Sequence, residues 1–105
     1  MTVKGREQLP IGTIVNVLDE PYDIAIIGQY PIIEKDGKKG YYDFVGAIIP
    51  VGYDAQNLLF FNKEDINNIV FLGYTDLNFQ KFLNESHKFE DTTDLTKLPA
   101  LKIKK

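Results

Sequence analysis

The side chains that could act as a nucleophile and its base are one serine and one histidine, Ser86 and His87. The chain has no cysteine, which excludes thiol chemistry, disulfides and thiolate metal sites. Ser86 and His87 are adjacent, and on a helix adjacent side chains point about 100° apart. They are therefore unable to form a hydrogen-bonded pair of the triad type. Hydrolysis by a serine or cysteine nucleophile is not expected.

The carboxylates form the second group of candidates. His87 precedes Glu90 and Asp91 by one helical turn, which places all three on one face. A metal site needs three or four ligands, and continuity of the helix is not expected there. Other acidic clusters fall in predicted turns or at helix starts, where acids cap or stay solvated. These clusters are Asp19-Glu20, Glu64-Asp65 and the near pair Glu34 and Asp36. We predict no catalytic, cofactor-binding or metal-binding residue, and no enzyme.

Composition and charge restrict the remaining function classes. A chain of 105 residues with 44% hydrophobic residues fits a single packed domain. A formal charge of -3 gives little attraction to nucleic acid, whose binding depends on contacts from Lys and Arg to phosphates. The apolar runs are far shorter than the roughly 20 residues that cross a bilayer, and the N-terminus lacks a signal-peptide core. We expect a cytoplasmic protein that binds neither nucleic acid nor membrane.

β-Branched and aromatic runs separated by turn residues dominate the chain. They predict strands at 13–18, 23–34, 41–49, 58–61 and 68–73. Asp36-Gly37 lies between the second and third runs, where glycine accepts the positive φ of a tight hairpin turn. The second and third strands are therefore predicted to be antiparallel neighbours. Residues 62–65 predict a capped helical turn.

One helix is predicted over 75–88. Asp76 is placed at its start, and Phe79, Phe82 and Leu83 share one face. The predicted fold is α+β: a small, strongly twisted antiparallel sheet or partly open barrel of about five strands, with one C-terminal helix. Residues 1–8 form a loose N-terminal segment, 9–88 the domain and 89–105 a C-terminal tail. The pattern leaves open whether the tail packs on this domain or on a partner.

Both faces of the central hairpin are apolar, so both are expected to be buried against other parts of the chain or a partner. In the third strand, smaller side chains at Val45, Ala47 and Ile49 alternate with bulkier ones. A single short helix is not expected to cover the whole of one sheet face, and apolar surface that is left over suits a protein partner. We therefore predict that a protein partner contacts either an exposed sheet edge or the smaller face around Val45, Ala47 and Ile49.

Several segments together carry a resemblance to a known family. They read LPIGTIV at 9–15, YDFVGAIIPVG at 42–52, FFNKEDI at 60–66 and IVFLGY at 69–74, with IIGQ at 26–29 also fitting. In this order and spacing they resemble domain of unknown function 4176, a family of small Gram-positive bacterial proteins. The resemblance covers about residues 9–83.

The resemblance implies a function through the order of genes. Genes for members of this family look like neighbours of genes for type VII secretion toxins, whose N-terminal domains carry a Leu-x-Gly signature. This context implies a cytoplasmic accessory protein that binds the toxin before export, as chaperone or targeting factor. An immunity protein that neutralises the toxin is the alternative. The family contributes no catalytic residue.

Overall fold

The computed structural model describes residues 7–102. Within these limits the chain forms nine strands, one 3-10 turn at Lys63–Asp65 and one helix, α1, at Leu77–Thr92. The strands are β1 (Ile14–Val17), β2 (Ile24–Gln29), β3 (Ile32–Lys35), β4 (Lys38–Tyr41), β5 (Phe44–Ile48), β6 (Leu59–Phe61), β7 (Ile66–Phe71), β8 (Thr96–Lys97) and β9 (Leu101–Lys102). The 3-10 turn confirms the helical turn predicted at 62–65.

The main sheet has the strand order β7-β1-β2-β5-β6-β9, and every neighbouring pair is antiparallel. Alternate residues of its strands point to the same face and build the core. The buried cluster consists of Leu9, Val15, Val17, Ile24, Ile26, Phe44, Leu59, Phe61 and Ile66. The outer strands β7 and β9 do not pair with each other, so the sheet is open and is not a closed barrel. The predicted α+β fold is confirmed.

The hairpin predicted around Asp36-Gly37 is confirmed. Asp36 and Gly37 have φ angles of 54° and 80°, the left-handed conformation that a tight two-residue turn requires. They join β3 to β4, which form a smaller sheet of order β3-β4-β8. Further from the turn, β2 pairs with β5 in the main sheet. The hairpin therefore spans both sheets.

The hairpin bends where it passes from one sheet to the other. Pro31 has no N–H for a strand ladder, and Tyr30 turns the chain with a φ of 48°. The Tyr30 N–H donates to the Asp43 carbonyl and the Tyr42 N–H donates to the Pro31 carbonyl, both at 3.1 Å. The strand predicted at 23–34 is therefore divided into β2 and β3. The strand predicted at 41–49 corresponds to β5, and β4 lies mostly in the segment expected to be the turn, which the apolar pattern does not reveal.

The helix α1 starts at the predicted place and ends later. The Asp76 carboxylate caps it by accepting a hydrogen bond from the Phe79 N–H at 2.9 Å. The helix continues to Thr92 and does not end at residue 88. Phe89 packs on Tyr30 and Tyr41, with ring centroids 4.7 and 5.2 Å apart. These long-range contacts stabilise the last turn and extend the helix.

The described part of the C-terminal tail packs on this chain. β8 runs parallel to β4, and β9 pairs with β6. The Leu98 N–H donates to the Tyr41 carbonyl at 2.9 Å, and the Leu98 carbonyl accepts from Asn62 Nδ2 at 2.8 Å. Ala100 contacts the core cluster. Residues 103–105 of the tail, and 1–6 of the predicted loose N-terminal segment, lie outside the described residues.

A substitution at Gly46 tests this close packing. An added Cβ would lie 2.4 Å from Ile24 Cγ2 and 3.0 Å from Phe61 Cε1, two fully buried side chains. We expect Gly46→Ala to lower the free energy of unfolding by about 2 kcal/mol through overpacking. The measurement is denaturant unfolding, with exposed Gln56→Ala as the control. An unchanged midpoint for Gly46→Ala would contradict the packing described.

Candidate functional site

The structure does not bring Ser86 and His87 together. Ser86 is buried, and its hydroxyl donates to the Leu83 carbonyl at 2.7 Å. His87 is exposed and pairs with the carboxylate of Glu7. Ser86 and His87 therefore bond to different partners on different sides of α1. No hydrogen bond joins the two side chains, so they are not placed for proton transfer between them.

The spacing of His87, Glu90 and Asp91 does not produce a ligand set either. Glu90 is directed to Lys63 and Tyr30, as described below. Between residues 7 and 102 the structure contains no group of three or more His, Cys, Asp or Glu side chains that could hold a metal ion. The absence of enzyme activity stays a prediction.

The three residues predicted to contact a partner differ in accessibility. Ala47 is 1% exposed, so a partner does not reach it in this structure. Val45 is half-buried, and its Cγ1 lies 2.6 Å from where a Cβ on Gly28 would stand. Ile49 is exposed and lines a groove of about 330 Å³ together with other residues of the loop after β5 and with Tyr22 from the loop before β2. Partner binding through these residues stays a prediction, with Ile49 its accessible member.

A larger exposed apolar surface lies where β7 leads into α1. We call it the apolar corner, and its side chains are between 48% and 79% exposed. The members are Ile11, Val70, Phe71, Leu72, Tyr74 and Leu77. The Gly73 N–H donates to Thr13 Oγ1 at 3.0 Å, which brings the segment 72–74 against 11–13. Exposed apolar side chains that are grouped along one short segment, as at 70–77, make that segment a candidate interaction surface.

The apolar corner lies on an outer strand of the main sheet. β7 pairs with β1 on one side, and its other side has no strand neighbour among residues 7–102. Residues 66–75 contain no charged side chain, so the lysines that protect many sheet edges are missing here. The register with β1 skips Asn67 and Val70, which marks two bulges. The corner therefore combines apolar side chains with unpaired backbone groups.

A groove continues the apolar corner toward the helix. It has a volume of about 400 Å³ and is lined by Pro10, Ile11, Gln29, Tyr74, Phe79 and Phe82. Phe79 and Phe82 come from the first turns of α1 and lie with their rings stacked, 6.0 Å apart. The groove is sized for one or two apolar side chains of a ligand protein. The corner and groove together form the candidate binding site.

A buried polar cluster around Asp43 joins the elements that carry this site. We call it the polar junction, and its members are Asp43, Gln8, Asn62, Lys63 and Lys97. Asp43 is fully buried, and its Oδ2 accepts from the Lys63 N–H at 2.9 Å and from Lys97 Nζ at 3.0 Å. Its backbone N–H donates to Asn62 Oδ1 at 3.0 Å, and its carbonyl accepts from Gln8 Nε2 at 2.7 Å. Burial opposes the charge on Lys97, but Asp43 raises the pKa of that ammonium above its usual value.

Glu90 joins α1 to the polar junction. It accepts from Lys63 Nζ at 2.7 Å and from the hydroxyl of Tyr30. Burial opposes ionisation of Glu90, but the bonds from Lys63 and Tyr30 hold its pKa below the usual value. Burial, reinforced by Glu90, raises the pKa of Tyr30, so its phenol stays protonated and donates. Glu90, Lys63 and Tyr30 thus bond to one another, which supports a structural role for the junction. At its centre, Asp43 Oδ1 is buried and has no hydrogen-bond partner among the described residues.

The sequence analysis predicts an exposed sheet edge as one possible contact surface but does not identify the apolar corner, and it misses the polar junction. The charge-free run at 66–75 is a usable signal, but its position on an outer strand follows from the pairing of β7 with the distant strand β1. In the sequence, Asp43 is a single acid among the apolar residues of a predicted strand. Its partners come from distant segments, so spacing gives no signal for it.

Glu90→Gln tests the junction through its pH dependence. A carboxyl whose pKa is lowered by folding stabilises the protein above its unfolded pKa, here near the usual 4.5, and loses this effect as the pH falls through the lowered value. We expect the variant to be less stable by about 1 kcal/mol at neutral pH, and this difference to narrow below pH 4.5. Thermal unfolding across pH measures it, with exposed Asp91→Asn as the matched control. A difference independent of pH would contradict the assignment.

Among the comparisons with known proteins, only the one with protein families gave a match. Searches of curated proteins and of solved structures returned no match. No helix within residues 7–102 has the length and apolar character needed to cross a membrane. The profile of the family described as Domain of unknown function (DUF4176) matches residues 8–82, which include strands β1 to β7, the bent hairpin and the apolar corner. The chain therefore belongs to the DUF4176 family.

Proposed function

We propose that this protein is a non-enzymatic accessory protein that binds a type VII secretion toxin of the Leu-x-Gly type in the cytoplasm, as chaperone or targeting factor. The partner class follows from the resemblance described above. The apolar corner is the observation that supports binding of a protein. A module of this kind needs an exposed recognition surface on a rigid support, and no reacting group.

The chemistry of the corner favours a protein segment over a small polar ligand. Its side chains offer dispersion contacts and area to be removed from water, at about 25 cal/mol per Å² of apolar surface. The free side of β7 offers N–H and C=O groups to an added strand, a common way of recognising extended segments. The bulges at Asn67 and Val70 interrupt this ladder, so we place most of the affinity in the side chains.

The aromatic members supply the expected centre of the interface. Tyr74 is exposed beside the groove that Phe79 and Phe82 line. Tyrosine is enriched among the residues that dominate binding energy, because it buries a large rigid area at low entropic cost. Leu72 lies two residues away, with Gly73 between them held against Ile11 and Thr13. This anchor fixes the two side chains relative to the sheet.

Paired substitutions at the corner test the proposal. We expect Leu72→Asp with Tyr74→Asp to weaken binding to the full-length toxin by on the order of 30-fold, since two buried contacts lose on the order of 2 kcal/mol. The control is Leu18→Asp with Ile32→Asp, two exposed apolar residues outside both the corner and the groove beside Ile49. Both double variants should unfold at the wild-type denaturant midpoint, and calorimetry with purified toxin measures affinity. Equal affinities for the two double variants would overturn the corner as the binding surface.

A deletion and a truncation series test the role itself. We expect the toxin to accumulate inside cells that lack this gene and its secretion to fall, with recovery on complementation. Binding to the N-terminal export region of the toxin supports the chaperone or targeting role. Binding confined to the toxic C-terminal region, with secretion unchanged by the deletion, overturns it in favour of an immunity protein.

A further inference from the structure

The C-terminal tail lies along two strand edges of its own chain. β9 pairs with β6, and β8 runs parallel to β4. Within residues 7–102, β9 is the only strand on that side of β6, so β6 would be an outer strand of the main sheet without it. Residues 58–61 carry no charge, and an uncharged outer strand offers its backbone groups to another extended segment. The β6 edge is therefore a site for strand addition, which the tail fills here.

The contacts of the tail define what this site recognises. Lys97 Nζ donates to Asp43 Oδ2 at 3.0 Å and lies 3.4 Å from Glu64 Oε1, so a cation is bound at this position. The Leu98 backbone is bonded at both its N–H and its carbonyl. Its side chain fills the space above Gly40, where an added Cβ would approach Leu98 Cγ at 2.5 Å. The site thus recognises a basic residue followed by an apolar one on an extended backbone.

The tail is attached at the surface of the domain. None of the side chains at 93–101 is fully buried, and the described core cluster contains no residue of the tail, although Ala100 packs against it. Thr93 ends α1 in an extended conformation, with φ of -71° and ψ of 140°. Only Thr93, Asp94 and Leu95 separate the helix from β8. Release of the tail is therefore a local opening that leaves the core packed.

We propose that the tail is a donor strand, bound here to its own chain, that docks in the same way on a second copy of this chain. The occupant is the segment 95–102 in both cases, so the contacts at Asp43, at Gly40 and along β6 are the same within one chain as between two. Exchange of identical elements between copies is a low-cost route to dimers. The tether gives a chain's own tail an effective concentration on the order of millimolar, so the single closed chain dominates until the tether or the tail is altered. This inference does not use the apolar corner.

A full chain with a shorter tether tests the exchange directly. Deleting Asp94 and Leu95 shortens the connection by up to about 7 Å, which draws the tail away from its own site. We expect the wild type to sediment as a monomer and the shortened chain as a dimer. Hydrogen exchange at 59–61 should be as slow in that dimer as in the wild type, because the tail of the second copy covers β6. The control is Asp94→Gly with Leu95→Ser, which keeps the length of the tether and should stay a monomer.

A peptide in solution tests the same site from the other side. The probe is a fluorescein-labelled peptide of residues 93–102, added to the full-length chain. The tethered tail competes with it, so Lys97→Ala with Leu98→Ala in the chain should strengthen peptide binding by about tenfold or more. The same two substitutions in the peptide should weaken its binding. The control is Val51→Ala with Lys81→Ala in the chain, two exposed positions away from the tail, which should leave peptide affinity unchanged.

Three outcomes would overturn the inference. The first is a shortened chain that stays a monomer. The second is peptide affinity that does not rise in the Lys97→Ala, Leu98→Ala chain; a general loss of folding would lower this affinity, so the expected rise has the opposite sign. The third is a dimer of the shortened chain that Leu72→Asp with Tyr74→Asp dissociates, which would assign self-association to the apolar corner. The expected dimer survives those corner substitutions, so failure here and failure of toxin binding are distinguishable.

Discussion

The arrangement of this molecule depends on the buried carboxylate of Asp43. It lies at the bend where the hairpin leaves the main sheet, and it accepts from the start of the 3-10 turn and from the tail through Lys63 and Lys97. Burying a carboxylate costs free energy unless it is paired and hydrogen-bonded, so the two segments that donate to Oδ2 stabilise the fold by meeting at this point, whereas Oδ1 has no hydrogen-bond partner among the described residues. Glu90 adds α1 to the same cluster through Lys63. The bend, the tail and the helix are thus fixed by one polar constraint inside an otherwise apolar fold.

Local features of the sequence were predicted where local physics decides them. The left-handed turn at Asp36-Gly37 and the cap at Asp76 depend on residue type at one position, and both are confirmed. The bend at Tyr30, the late end of α1 and the docking of the tail depend on contacts between distant residues. The predicted contact residue Ala47 shows the same limit, because alternation gives its face but not its burial. The spacing of residues therefore predicts secondary-structure elements better than it predicts which of their side chains other segments bury.

The apolar corner is uncharged and open, which suits contact with a folded or extended partner. The polar junction lies elsewhere in the fold, where the bend of the hairpin, the 3-10 turn, the tail and the last turns of α1 meet. Binding and internal support are thus assigned to different residues of the same chain.

The proposed function requires that the outer strand β7 and the apolar corner become covered when the protein binds a toxin. Hydrogen–deuterium exchange of the full chain, with and without purified toxin, tests it directly. The account predicts slower exchange at 66–77 in the complex, because unpaired amides of the outer strand become bonded or shielded from water. Unchanged exchange over 66–77 in a complex that demonstrably forms would contradict the account.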